Sequence, residues 1–188
     1  MKNIVFFGAP GAGKGTQAKK LAEKYSLIHI STGDVLRSEV NNQTDLGKKA
    51  QQYMQDGNLV PDDLIISMVE KIIAANIDGQ GFILDGFPRT TPQAEALDKM
   101  FEKYNISISD ALFLDVPKDE LVKRLQKRAE IEGRDDDKDL SVIENRINVY
   151  NQKTAPVIDY YFEQGKLKKI QGLGDISEIF QSIIKSIS

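Results

Sequence analysis

The segment Gly8–Thr16, GAPGAGKGT, is the part of the sequence with the most specific chemistry, and it follows the apolar run of residues 4–7. Gly8, Gly13 and Lys14 have the G-x-x-x-x-G-K spacing of a phosphate-binding loop. Such a loop needs glycine because several backbone N–H groups must point at one anion. The positive end of the following helix and the lysine ammonium add further attraction. The sequence therefore predicts a phosphate site between a strand and a helix.

This loop departs from the common motif directly after the lysine. The motif places Ser or Thr there, whereas the chain has Gly15 and brings the hydroxyl one position later, at Thr16. The pattern is therefore weaker evidence that the hydroxyl binds Mg²⁺. On the loop alone, a glycine-rich turn that binds nothing remains the alternative.

Composition excludes several other classes of protein. The chain has 188 residues, a net charge of −3, 40% apolar residues and no cysteine. Its length fits one domain with a proper core. The charge gives no support for a nucleic acid or membrane partner, and no apolar run approaches the ~20 residues of a membrane span. We expect a cytoplasmic protein without disulfides or thiolate metal sites, because no signal-peptide pattern is seen either.

The use of basic residues is uneven, with 19 lysines and six arginines. The planar guanidinium binds phosphate oxygens in a bidentate way that an ammonium cannot. The small number of arginines suggests that several of them have specific roles. The alternative is that they form ordinary surface ion pairs, or that the genome favours lysine over arginine. The six are Arg37, Arg89, Arg124, Arg128, Arg134 and Arg146.

Apolar segments alternate with helical patterns along the chain, which predicts an α/β fold with a parallel sheet and helices on both faces. The predicted strands cover residues 4–7, 28–30, 81–84, 111–116 and 167–170. Between the second and third strands, residues 31–60 form a small helical insertion. The stretches that begin at Gly8, Ser31 and Asp85 each follow a strand, and ligands bind beyond the carboxyl ends of such strands. We therefore expect these stretches to meet in one crevice.

Local patterns give three further predictions. Thr91 is predicted to cap the helix that carries Gln93, and Ser141 with Glu144 predicts a capping box. His29 is the only histidine. Its apolar strand neighbours favour a structural role over a catalytic one.

Asp85 ends an apolar strand in a chain that also has a phosphate loop. Nucleotide kinases and hydrolases hold Mg²⁺ with a carboxylate at such a place. Because Mg²⁺ keeps most of its water shell, we expect Asp85 to hold it through water ligands. An ordinary aspartate at a strand end is the alternative.

The chain resembles the nucleoside monophosphate kinases, and among them the adenylate kinases. The resemblance covers essentially the whole chain and rests on Gly8–Gln17, Ser31–Arg37, Gly57–Pro61, Phe82–Arg89 with Gln93, and the arginines from 128 onward. It implies a three-layer P-loop NTPase fold with a five-stranded parallel sheet. It also implies a core domain of residues 1–30, 61–127 and 139–188, a nucleoside-monophosphate-binding domain of residues 31–60, and a short lid of residues 128–138. The short lid lacks the lobe and cysteines that hold zinc in longer forms.

The resemblance assigns residues to two nucleotide sites and to the reaction. The ATP site would contain Gly11, Ala12, Gly13, Lys14, Gly15, Thr16, Arg124, Arg128 and Gly174. The AMP site would contain Thr32, Arg37, Asn58, Leu59, Val60, Gly86, Phe87, Pro88, Arg89, Gln93, Arg134 and Arg146. The catalytic residues would be Lys14, Arg89, Arg128, Arg134 and Arg146. The lid run from Asp135 to Asp137 is one residue longer than expected, which leaves its roles open, with a solvated loop as the alternative.

The implied reaction is reversible phosphoryl transfer from Mg-ATP to AMP, giving two ADP, in a monomeric enzyme of adenine nucleotide homeostasis. In the related pyrimidine kinases, alanine typically replaces Thr32 and an asparagine lies near Gln93, so these two residues favour AMP. A pyrimidine monophosphate kinase is the first alternative. A non-enzymatic nucleotide switch is the second, and arginines for two anionic substrates argue against it.

Overall fold

The computed structural model describes residues 1–187, apart from the side chain of Asp135. Its centre is a parallel sheet in the order β2-β3-β1-β4-β5. The strands are β1 (Lys2–Phe7), β2 (Ile28–Ser31), β3 (Gly81–Asp85), β4 (Asp110–Asp115) and β5 (Leu167–Gln171). The five-stranded parallel sheet that the sequence predicts is confirmed.

Helices connect the strands and follow the last one. They are α1 (Lys14–Tyr25), α2 (Thr32–Asn41), α3 (Asp45–Gln55), α4 (Asp62–Ala75), α5 (Thr91–Lys103), α6 (Lys118–Glu132), α7 (Leu140–Val149), α8 (Ala155–Glu163) and α9 (Ile176–Ser186). A 3₁₀ turn (Asp135–Asp137) lies between α6 and α7, and a π-helical turn (Tyr150–Thr154) joins α7 to α8. Helices α2 and α3 make up most of the predicted insertion. Within residues 1–187, no helix combines the length and the apolar character needed to cross a bilayer.

The central strand shows why the fold has three layers. Along β1, Val5 and Phe7 belong to one apolar cluster, which includes residues of α4, α5 and α8. Ile4 and Phe6 belong to a second cluster, which includes residues of α1, α6 and α9. Because successive side chains of a strand point to opposite faces, an uninterrupted apolar run requires helices on both sides.

Two helix starts differ from the predicted ones. The cap of α5 is Thr90 rather than Thr91, since its hydroxyl accepts a hydrogen bond of 3.3 Å from the Gln93 N–H. The cap of α7 is Asp139, whose Oδ1 accepts 2.8 Å from the Ser141 N–H. In both places an extended residue with a capping side chain comes earlier in the chain and satisfies the free N–H groups first.

Candidate functional site

A cleft of about 1180 Å³ opens at the carboxyl edge of the sheet. Pockets for one small ligand usually have volumes of ~300–1,000 Å³. The phosphate loop contributes to the lining, as do residues from α2, from the end of β3, and from α6 and α7. The loops after β1, β2 and β3 therefore meet in one crevice, whose volume is above the usual range for one small ligand.

Nearly all of the predicted site residues line the cleft. Those that line it are Gly11, Ala12, Gly13, Lys14, Gly15, Thr16, Thr32, Arg37, Asn58, Leu59, Val60, Asp85, Gly86, Pro88, Arg89, Gln93, Arg124, Arg128, Arg134, Arg146 and Gly174. The exception is Phe87, which is 1% exposed and packs in the apolar cluster of α4 and α5. The expectation that Phe87 lines the cleft is not met, because its large apolar side chain is used in the core. His29 does not line the cleft either.

The phosphate loop leaves the start of α1 open. The residue before the helix is Gly13, which has φ +93° and no side-chain cap, and a Cβ placed there would meet nothing within 4 Å. The first N–H groups of α1 are therefore available to an anion. The Lys14 ammonium donates hydrogen bonds to the carbonyls of Gly8 (2.8 Å) and Ala9 (3.1 Å), which holds it against the loop.

Burial lowers the pKa of Lys14 from 10.5 to about 8. The carboxylate of Asp85 raises this pKa in part, whereas the cations Arg89, Arg128 and Arg146 lower it. The ammonium therefore sits among like charges, and a bound phosphate would favour its protonated form.

This pKa predicts that binding of a phosphate ligand depends on pH. A polyphosphate anion should bind the protonated ammonium better, so the affinity of the free protein for ATP, the ligand expected from the sequence, should fall as the pH rises through about 8. Calorimetric titrations with ATP between about pH 6.5 and 9.5 measure the Kd and the proton uptake. Lys14→Met has no ammonium to titrate, so its weaker binding should stay level across this range. A wild-type Kd that is equally flat would contradict the prediction.

Asp85 and Gly15 face each other across the cleft floor. A Cβ placed on Gly15 would lie 3.3 Å from Asp85 Oδ2, which is tight for a side chain. The glycine after Lys14 thus leaves room beside this carboxylate. Within the described part of the chain, no group of three His, Asp or Glu side chains is arranged to hold a metal ion. A cation at Asp85 would therefore need water and phosphate oxygens as its other ligands, a coordination that suits Mg²⁺.

Arg89 is fixed at both its side chain and its backbone. Its Nε donates a hydrogen bond of 2.8 Å to the Gly86 carbonyl, which also accepts 2.8 Å from the Thr32 hydroxyl. Its N–H donates 2.8 Å to Gln93 Oε1, and its carbonyl accepts 3.0 Å from the Thr154 hydroxyl. Burial and the nearby Arg146 lower the pKa of Arg89. The guanidinium is thus rigidly held in a place that favours an anion as its partner.

A buried carboxylate organises the arginines of the predicted lid. Asp137 has a fully buried side chain and accepts hydrogen bonds of 2.6 and 3.0 Å from Arg128. It also binds Arg146, and Arg134 lies 3.9 Å away. The alternative of a solvated loop is therefore wrong for Asp137.

Asp136 is the second carboxylate in this cluster. It lies 2.9 Å from Arg146 and 3.4 Å from Arg134. Burial would raise its pKa, but the charges of the surrounding arginines outweigh burial and lower it. Asp136 therefore stays ionised, and the two aspartates together hold the arginines at one side of the cleft.

Sequence reasoning left the role of Asp137 open and missed three other residues that support the site. These are Asp62, which binds Gln93; Asn145, which donates to the Asp56 carbonyl (2.7 Å) and Asn58 (3.1 Å); and Thr154. Their sequence signals are weak, because each looks like an ordinary polar residue at a helix end or surface. Asn145 links residues 31–60 directly to α7.

Comparison with known proteins gives a consistent result. The sequence model of a family described as Adenylate kinase matches residues 6–166. An adenylate kinase of Bacteroides fragilis is 49% identical over 187 residues, which cover 100% of this chain and 98% of the relative. One of Parabacteroides distasonis is 47% identical over 188 residues, covering 100% and 98%. One of Leptospira biflexa is 48% identical over 187 residues, covering 100% of both chains.

Proposed function

The chain belongs to the adenylate kinase family and is a phosphotransferase, and we propose that it reversibly transfers the γ-phosphoryl group of Mg-ATP to AMP. The products are two molecules of ADP. The observation that carries this proposal is the single cleft that has the phosphate loop and Lys14 together with Arg89 and the lid arginines. A site for one nucleotide would not need cations on several sides.

The donor nucleotide is proposed to bind at the phosphate loop. The N–H groups of the loop and the start of α1 would bind the phosphates of ATP, and Lys14 would follow the transferred group. Arg124 donates 2.9 Å to the Gly172 carbonyl, which holds its guanidinium near Gly174, where the adenine of ATP is expected. Asp85 would hold Mg²⁺ through water, and the ion would neutralise phosphate charge.

The acceptor nucleotide is proposed to bind between residues 31–60 and the loop after β3. Thr32, Gln93 and the backbone from Asn58 to Val60 would meet the adenine of AMP. Arg37 and Arg89 would bind its phosphate, since a planar guanidinium matches two phosphate oxygens at once. In this arrangement the two nucleotides meet with their phosphates between the arginines.

The reaction then needs no side chain as a base. An oxygen of the AMP phosphate is already anionic and attacks the γ-phosphorus in line, while the bond from that phosphorus to the bridging oxygen of ATP breaks and ADP leaves. Lys14, Arg89, Arg128, Arg134 and Arg146 would neutralise the charge of the group in flight. Catalysis is thus positioning and charge neutralisation.

Closure of the cleft is proposed to keep water away from the γ-phosphate. We assign residues 31–60 and the lid, residues 128–138, as the moving parts, and the remaining residues as the core. Adenylate kinases are a well-known example of lid closure, and we assign the same motion to this chain because it belongs to that family. We also propose a monomer that works in the cytoplasm on adenine nucleotides.

Assaying Mg-ATP with AMP, UMP and CMP side by side tests the proposed function. We expect ADP to form rapidly with AMP and slowly with the pyrimidine nucleotides, because Thr32 and Gln93 suit adenine. Phosphorus NMR separates the products, and ATP without an acceptor controls for hydrolysis. A preference for UMP or CMP would replace the proposed acceptor, and tight binding without any product would indicate a nucleotide-binding protein instead.

A further inference from the structure

Asp62 does not line the cleft, yet it binds a residue that does. It is the first residue of α4, just after the segment 31–60. Its Oδ1 accepts a hydrogen bond of 2.7 Å from Gln93 Nε2, and its Oδ2 accepts one of 2.9 Å from the Thr90 hydroxyl. Thr90 in turn caps α5, the helix that carries Gln93. The carboxylate is therefore anchored at one oxygen and engages Gln93 with the other.

The Gln93 amide has only one orientation that satisfies both of its neighbours. Its Oε1 accepts a hydrogen bond of 2.8 Å from the Arg89 N–H, while its Nε2 donates to Asp62. A carboxylate only accepts and a backbone N–H only donates. Turning the amide around would place oxygen against oxygen at Asp62 and N–H against N–H at Arg89. Gln93 is 2% exposed, and on these two sides its amide is in contact with Asp62 and Arg89, so a mismatch there would be costly.

In this orientation the Gln93 amide can still accept one hydrogen bond and donate one. Among the residues that the structure describes, Asp62 and Arg89 are the partners of the amide, which leaves one lone pair on Oε1 and one N–H on Nε2. An acceptor beside a donor matches the 6-amino group and N1 of adenine. A 6-oxopurine presents the opposite pattern, an oxygen at position 6 and an N–H at position 1. Only a reversed amide would match the oxopurine.

We infer that Asp62 is a positioning residue for substrate specificity: by fixing the Gln93 amide, it makes the acceptor site select 6-aminopurine over 6-oxopurine monophosphates. This inference rests on the proposed function, since it takes Gln93 to meet the base of the acceptor nucleotide. A site whose buried hydrogen-bonding groups are left unpaired by the wrong ligand discriminates strongly. A merely structural link between α4 and α5 would affect stability and leave the choice of base unchanged.

The substitution Asp62→Asn tests the inference. Asparagine keeps the shape of the side chain but offers Gln93 an N–H as well as an oxygen, so the reversed amide becomes less unfavourable. IMP is the probe, because its base differs from that of AMP only at position 6 and in the hydrogen on N1. We expect the ratio of kcat/KM for AMP to that for IMP to fall by about tenfold, since a hydrogen bond to a charged group contributes at least ~1.4 kcal/mol.

The matched control is Asp63→Asn. It removes the neighbouring exposed carboxylate from the same first turn of α4, so the change in helix-end charge is the same. We expect it to keep the wild-type AMP:IMP ratio. If Asp62→Asn does not fold, Asp62→Ser supplies a second variant without the carboxylate, and the same fall in the ratio is expected.

The outcomes separate this inference from the proposed function. An unchanged AMP:IMP ratio, in a variant that folds and turns over AMP, overturns the role of Asp62 and leaves the proposed function standing. An equal fall in Asp63→Asn also overturns it, since helix-end charge would then explain the effect. A wild-type protein that does not phosphorylate AMP overturns the proposed function and the inference together.

Discussion

Replacing Arg89 with alanine should lower the turnover number for ATP plus AMP by roughly 10²–10⁴-fold, the range found when one cation or donor of a transition state is lost. The effect should be large because Arg89 is pre-positioned by Gly86, Gln93 and Thr154. A guanidinium held in this way needs little reorganisation when charge develops on the transferred group. Initial rates at saturating ATP and AMP give the turnover number.

Two further variants make the Arg89 result interpretable. Arg89→Lys keeps the charge and loses the planar fork, so its rate should lie between those of the wild type and Arg89→Ala. Lys103→Ala removes an exposed cation at the end of α5, outside the cleft, and should keep the wild-type rate. A folded Arg89→Ala protein with less than a tenfold loss of turnover would count against the proposed role.

Replacing Asp137 with asparagine should lower the free energy of unfolding by about 3 kcal/mol, because removing one partner of a buried ion pair leaves the other charges uncompensated. The buried carboxylate faces Arg128, Arg134 and Arg146. In the variant these three arginines would still lie close together, but with one negative charge fewer between them. For a chain of this size, the expected fall in Tm is roughly 6–12 °C. Thermal unfolding without nucleotide measures it.

A control and a second measurement test the cause of this loss. Asp78→Asn changes an exposed aspartate in the turn before β3 and should leave Tm nearly unchanged. Saturating ADP without Mg²⁺ should raise the Tm of Asp137→Asn more than that of the wild type, since phosphates supply the missing negative charge. Equal Tm values for Asp137→Asn and the wild type without nucleotide would rule out the proposed effect of the carboxylate.

The arrangement of strands and helices could be predicted from the sequence because it depends on neighbours along the chain. The apolar run of residues 4–7 has to be a strand covered on both faces, and Val5 and Ile4 do lie in opposite clusters. Parallel strands also bring the loops after Gly8, Ser31 and Asp85 to one edge. The helix caps at Thr90 and Asp139 were missed by one or two residues, since several polar residues near each helix start could serve as caps.

The support of the candidate site could not be read from the sequence, since it depends on pairs that are distant in the chain. Thr154 and Arg89 are 65 positions apart, and Gln93 and Asp62 are 31 apart. Nothing in the local pattern of either partner indicates the other. The buried position of Phe87 likewise follows from core packing, and its neighbours in the motif gave no sign of it.

The sequence by itself determined the sheet, the phosphate loop and which cations could act, because periodicity, glycine spacing and residue type are local properties. Only the tertiary structure decided how those cations are held: Asp137 among three arginines, Arg89 between Gln93 and Thr154, and Gln93 oriented by Asp62. The physical reason is that each of these side chains is fixed by buried partners from another element. Packing between distant segments sets such contacts.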